Sequence, residues 1–148
     1  MYRFVSFLII FSIVGILLYF HEQTSHCTTG DVGHHQENIV EIKDTELIPS
    51  VKGKVKQDKS GSWFVHIETE NFTFAPEKVG NEVINIHEGH AHLYLNGEKI
   101  NRLYGEYYNL DYLDKGSYTV KVTLNANNHG VLMHEGNTIG FEQDFTVE

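Results

Sequence analysis

The chain holds a single cysteine, Cys27, so it can close no disulfide within itself. A domain exposed to oxidising surroundings would have to be held by its core alone. The same scarcity excludes a blue-copper centre, which needs a thiolate ligand, because the part that reads as folded has none. Basic residues are few as well. Eleven Lys and Arg stand against 20 Asp and Glu, a net charge of −9, and no basic patch with interleaved aromatics marks a nucleic-acid partner. The chain also has no Gly-rich phosphate loop, no Gly-x-Ser-x-Gly elbow and no His-Glu-x-x-His helix. His87-Glu88-Gly89-His90 is one residue short of the last of these, and Gly89 beside Asn85 and Ile86 does not favour a helix.

Histidine, by contrast, is abundant, with 10 in the chain. The segment His87-Glu88-Gly89-His90-Ala91-His92-Leu93-Tyr94-Leu95-Asn96-Gly97 places three of them at the start of a β-hairpin whose Asn96-Gly97 pair suits a tight type I′ turn. Strand alternation sends Ala91, Leu93 and Leu95 to an apolar face and His90, His92 and Tyr94 to a polar one. Two imidazoles side by side suit copper, zinc, nickel or iron. A solvated polar face is the plain alternative. Third and fourth ligands are available from His66, from His129 at the end of Leu124-Asn125-Ala126-Asn127-Asn128-His129, and from Met133 and His134, with Met133 offering a softer donor for Cu(I). Each of these has its own plain reading, as turn, core thioether or half-buried strand residue.

The N-terminus sets the compartment. Phe4 to Phe20 carries no charge, and after Arg3 it is interrupted only by Ser6, Ser12 and Gly15 among bulky apolar side chains. Such a run is long for the ~7–15-residue core of a signal peptide and at the short end of the ~17–25 residues that span a bilayer, so residues 1–20 are expected to be a transmembrane signal anchor rather than a cleaved signal peptide. Neither an Ala-x-Ala site nor a lipoprotein pattern before Cys27 follows. Arg3 on the short side places the remainder on the extracytoplasmic side of the membrane, periplasmic or extracellular. Residues 21–46 read as a flexible tether. They hold six acids against one Lys from Glu22 to Glu46, and a group of histidines (His21, His26, His34 and His35) able to gather cations weakly.

From residue 47 to 148 the chain is punctuated by turns and shows no helical period. Val51 to Lys56, Trp63 to Glu68, Phe72 to Pro76, the histidine hairpin returning through Glu98 to Tyr104, Tyr118 to Asn125 and Ile139 to Val147 read as strands or strand ends. This spacing predicts one all-β domain, an antiparallel β-sandwich of immunoglobulin-like or cupredoxin-like kind.

The residues Trp63, His66, Glu70-Asn71-Phe72-Thr73-Phe74-Ala75-Pro76-Glu77, Gly89-His90-Ala91-His92-Leu93-Tyr94-Leu95-Asn96-Gly97-Glu98-Lys99, Arg102-Leu103-Tyr104-Gly105 and Val122-Thr123-Leu124-Asn125-Ala126-Asn127 with His129 carry a resemblance. Across roughly residues 60–140 the chain resembles a largely uncharacterised family of small exported bacterial β-sandwich domains. The resemblance implies an extracytoplasmic copper-handling module. This chain departs from the family pattern at Asn109, where a histidine commonly stands. The leading expectation is a membrane-anchored domain that stores, buffers or passes on a metal ion, copper before zinc, with His90 and His92 as ligands, His66 and His129 next, and Met133 and His134 after them. One alternative is a copper/zinc oxidoreductase resembling the superoxide dismutases, against which the lack of a disulfide counts. Another is an immunoglobulin-like adhesion or assembly module with Tyr104, Tyr107, Tyr108 and Tyr112 as its contact surface.

Overall fold

The computed structural model describes residues 2–25, 38–43 and 47–148, with side chains in the first segment described through residue 17. The chain divides into two units, Met1–His35 and Gln36–Glu148. In the first, Tyr2–Ser25 is one α-helix. Its Leu, Ile and Phe side chains suit a helix, Phe7 stacks on Phe11 one turn on at 6.1 Å, and the Ser12 hydroxyl donates to the Leu8 carbonyl at 2.8 Å. Every described side chain on it is exposed. Among the described residues no helix is long and apolar enough to cross a membrane. The transmembrane anchor expected over residues 1–20 is therefore not found among the described residues. The side chains of His21, His26, Cys27, His34 and His35 lie outside the described residues.

The second unit is built from strands β1 (Ile39–Ile42), β2 (Ser50–Gln57), β3 (Trp63–Glu70), β4 (Thr73–Phe74), β5 (Glu88–Leu95), β6 (Glu98–Leu103), β7 (Tyr107–Asp111), β8 (Gly116–Ala126), β9 (Val131–His134), β10 (Asn137–Thr138) and β11 (Gly140–Val147). A large sheet runs β1-β9-β8-β5-β4, with β6 on β5, β10 on β9 and β11 on β8, and a small sheet runs β2-β3-β7. Two expectations change here. The sheets are not wholly antiparallel, since β1 pairs with β9 and β4 with β5 in parallel. The folded unit also begins before residue 47, because Ile39–Ile42 joins β9 and buries Ile42, which gives this part of the tether a strand's hydrogen bonds and a place in the core.

The two sheets share one core. Val51, Val55, Val65 and Ile67 of the small sheet meet Ala91, Leu93, Leu103, Val120, Val122 and Leu124 of the large one. The apolar face expected for β5 is therefore real, with Ala91 and Leu93 paired to Leu124 and Val122 across the ladder. Asn96 and Gly97 both have positive φ, 52° and 84°, as a type I′ turn requires, and they fix the β5–β6 register. Val83 to Ile86, by contrast, runs in an irregular, mainly exposed segment.

With Leu93 fully buried, Leu93→Ala should destabilise the domain by about 2–5 kcal/mol, read from denaturant unfolding. A loss below about 1 kcal/mol would place Leu93 outside the core.

Candidate metal centre

The alternation that sends Leu93 inward sends His90 and His92 to the opposite, outer face of the large sheet. That face was expected to be polar, with solvation as the plain alternative, and the two residues are 0% and 6% exposed. Their cover is local. The ring centroids of His90 and His92 lie 4.8 Å apart, and those of Tyr104 and His129 lie 5.8 and 5.1 Å from His90. The strand can seat His90 so deeply because β5 and β8 approach closely at Gly89, where an added Cβ would stand 2.0 Å from the Asn125 carbonyl oxygen.

His129 arrives from the turn between β8 and β9. The turn closes through the His129 amide donating to the Ala126 carbonyl at 2.9 Å and the Gly130 amide donating to the Asn128 side chain at 3.1 Å. It holds His129 at φ 67°, in the left-handed region that costs a β-carbon residue roughly 1–2 kcal/mol. Buried Asn125 braces this turn. Its amide donates to the His129 carbonyl at 3.4 Å, while its oxygen accepts from the Thr123 hydroxyl at 3.0 Å.

Three nitrogens converge as a result. His90 Nε2 lies 3.0 Å from His92 Nε2 and 3.4 Å from His129 Nδ1, and all three atoms fall within 4.8 Å of one another. Imidazole–zinc bonds run about 2.0–2.1 Å, so one ion bonded to His90 and His92 at this spacing subtends about 94° between them, and the His90–His129 pair about 112°. Two such bonds reach at most about 4.1 Å, so the more open His129 ring needs to close by less than about 1 Å. The donor set fits a metal. One further observation agrees: Lys99 Nζ already stands 3.0 Å from His92 Nε2, where a cation meets the imidazole lone pair. The opposite ring nitrogens, Nδ1 of His90 and of His92, are buried without a hydrogen-bond partner.

Burial holds His90 down to about 4 and His92 to about 3, aided by the charges around them, and lowers His129 as well. The two buried rings are thus neutral ligands at neutral pH, as metal binding requires.

Of the other expected site residues, His66 and His134 fall outside this group. His66 is on β3 with its ring stacked on Tyr107 at 4.4 Å, and His134 donates to the Ile42 carbonyl at 3.2 Å. Met133, half-buried on β9, pairs with Glu41 and Thr138. His87, the first imidazole of the motif, donates to the Asn71 carbonyl at 2.8 Å. Asn109, where the resemblance led one to expect a histidine, stands on β7 in the small sheet, bonded to Ser62 and Asp111 and outside the three-histidine group. Asn125, Thr123, Lys99, Arg102 and Tyr104 are the residues that sequence reasoning did not assign to the site. The alternation of β8 carries a signal for Thr123 and Asn125, which share the face of His92 and His90. No family model, curated protein or solved structure matches the chain.

Relief of the left-handed backbone and loss of a ligand separate in one variant. His129→Gly should leave stability unchanged or raise it by up to about 1 kcal/mol, while weakening metal binding at least ~10-fold. Parallel loss of both would make His129 a packing residue.

The pH dependence has a definite sign. Unfolded histidine titrates near 6.5, above the native values of about 4 and about 3, so on acidification the unfolded chain takes up protons first. The stability contribution is full above about pH 6.5 and is lost as pH falls through the native values. Melting of the metal-free protein should drop over this window, and His90→Leu should make the drop shallower. Identical slopes in both proteins would contradict a neutral buried ring.

Proposed function

We propose that this chain is an extracytoplasmic metal-binding protein that holds a copper ion on His90, His92 and His129 for storage, buffering or transfer. The observation that carries the reading is the meeting of three imidazole nitrogens, two of them on buried rings kept neutral by their surroundings. An all-nitrogen set suits copper and zinc, and at equal availability the Irving–Williams order favours copper over zinc. Three protein ligands leave a coordination position for exchange, which transfer requires and a closed structural site lacks. Export is part of the same reading. The apolar side chains of Phe4 to Leu17 would serve as an export signal.

The test is metal content and affinity of the full chain in detergent, by elemental analysis after copper or zinc loading and by competition with a chelator. The wild type should retain one equivalent. His90→Ala and His92→Ala should each weaken binding at least ~10-fold, with melts of the metal-free variants reporting any loss of fold. Unchanged affinity in both variants would return the chain to the adhesion reading.

A further inference from the structure

The three-histidine centre has no negative charge of its own. Its donors are neutral, and among the described residues the cations that act on His90, His92 and His129 are Arg102 and Lys99, with no carboxylate beside them. A divalent ion placed there would add two positive charges to a partly buried site that already faces two cations. Such a charge is stable only when something compensates it. Among the described residues, the group close enough to share an ion is made of histidines alone, so the compensation must come from a ligand.

The fold brings the two cations there by a specific device. Along the β5–β6 ladder His92 faces Arg102 and Leu93 faces Asn101, and an unbroken register would set Ile100 opposite Tyr94 on the histidine face. The register shifts between Leu93 and Tyr94, so that Lys99 takes that place and Ile100 is left exposed. A bulge re-aims a side chain in this way, and here it puts Lys99 Nζ 3.0 Å from His92 Nε2. Lys99, Ile100, Asn101, Arg102 and Tyr104 then line a shallow depression of about 400 Å³. Tyr104 in turn packs on His90, so the depression adjoins the metal centre.

We propose that the metal held by His90, His92 and His129 takes a small anion of carboxylate or carbonate size as its exchangeable fourth ligand, and that Lys99 and Arg102 bind this anion. One donor atom of the anion sits on the metal. Another accepts from the Arg102 guanidinium, whose planar fork matches a carboxylate, while Lys99 leaves His92 Nε2 as the metal arrives and turns to the anion as a point charge. This inference rests on the metal-binding reading.

The full chain in detergent, loaded with Cu(II), is titrated with azide and with formate and followed by visible absorption and electron paramagnetic resonance. Copper affinity is measured on the same samples. In the wild type both anions should bind and perturb the copper spectrum. Lys99→Met and Arg102→Gln should each weaken anion binding roughly 1.5- to fivefold, the range for single exposed charge pairs. Lys99→Met should also tighten copper binding, because the ammonium no longer competes for His92 Nε2, and Lys115→Met should change neither. Retained copper with anion affinity unchanged in both site variants would overturn the anion subsite alone, as would copper-loaded wild type that takes neither anion. Failure of the wild type to bind copper or zinc would overturn the metal-binding reading and the subsite together.

Discussion

The ladder between β5 and β8, running in unbroken register from Gly89–Ala126 to Leu95–Val120, is the constraint on which the rest of the domain depends. Its inner face gives Ala91, Leu93, Val120, Val122 and Leu124 to the core between the sheets. Its outer face gives His90 and His92 to the metal centre, with Asn125 and Thr123 directly across from them. Because strand side chains alternate with a period of two, a slip of one residue would expose the leucines and bury the imidazoles in the core. Core and site are therefore specified by the same pairing. The close approach at Gly89 ties them further, since the backbone contact that seats His90 leaves no room for a β-carbon.

The centre is unfavourable in its parts. It crowds three ring nitrogens together and keeps His129 in a left-handed conformation. Each feature is unfavourable alone, and strain of this kind gathers at sites whose ligand offsets it. Lys99 partly answers the crowding by donating to His92 Nε2, a role that an incoming metal ion would take over.

Much of the strand pattern was legible in the sequence because it rests on local rules. Alternation from Tyr118 to Asn125, the Asn96-Gly97 turn and the division of β5 into an apolar and a histidine face all follow from side-chain period and turn chemistry. The pairing of His90 with His92 was legible for the same reason. Their burial was not, because the cover comes from Tyr104 and the His129 turn, which are distant in sequence and meet β5 only through the ladders of β6 and β8. His129 was a candidate level with His66 and ahead of Met133 and His134, and nothing local separated it from His66. Lys99 was hidden for a sharper reason, since regular alternation along β6 puts it on the wrong face and only a one-residue bulge corrects it. The strand Ile39–Ile42 was masked by its acidic, polar surroundings, and its partner β9 lies some ninety residues away.

The central claim is that His90, His92 and His129 hold a metal ion through their converging ring nitrogens. Melting temperatures of wild type and His90→Leu, each with and without saturating Cu(II) or Zn(II), test it most directly. Leucine fills a similar volume without an unpartnered polar atom, so the metal-free variant should melt at or above the metal-free wild type. Added metal should raise the wild type by several degrees, since ligand at a thousandfold excess over Kd contributes about 4 kcal/mol, and should leave the variant where it was. A wild type indifferent to metal, together with a His90→Leu variant that melts well below it, would contradict the account and make His90 an ordinary packing residue.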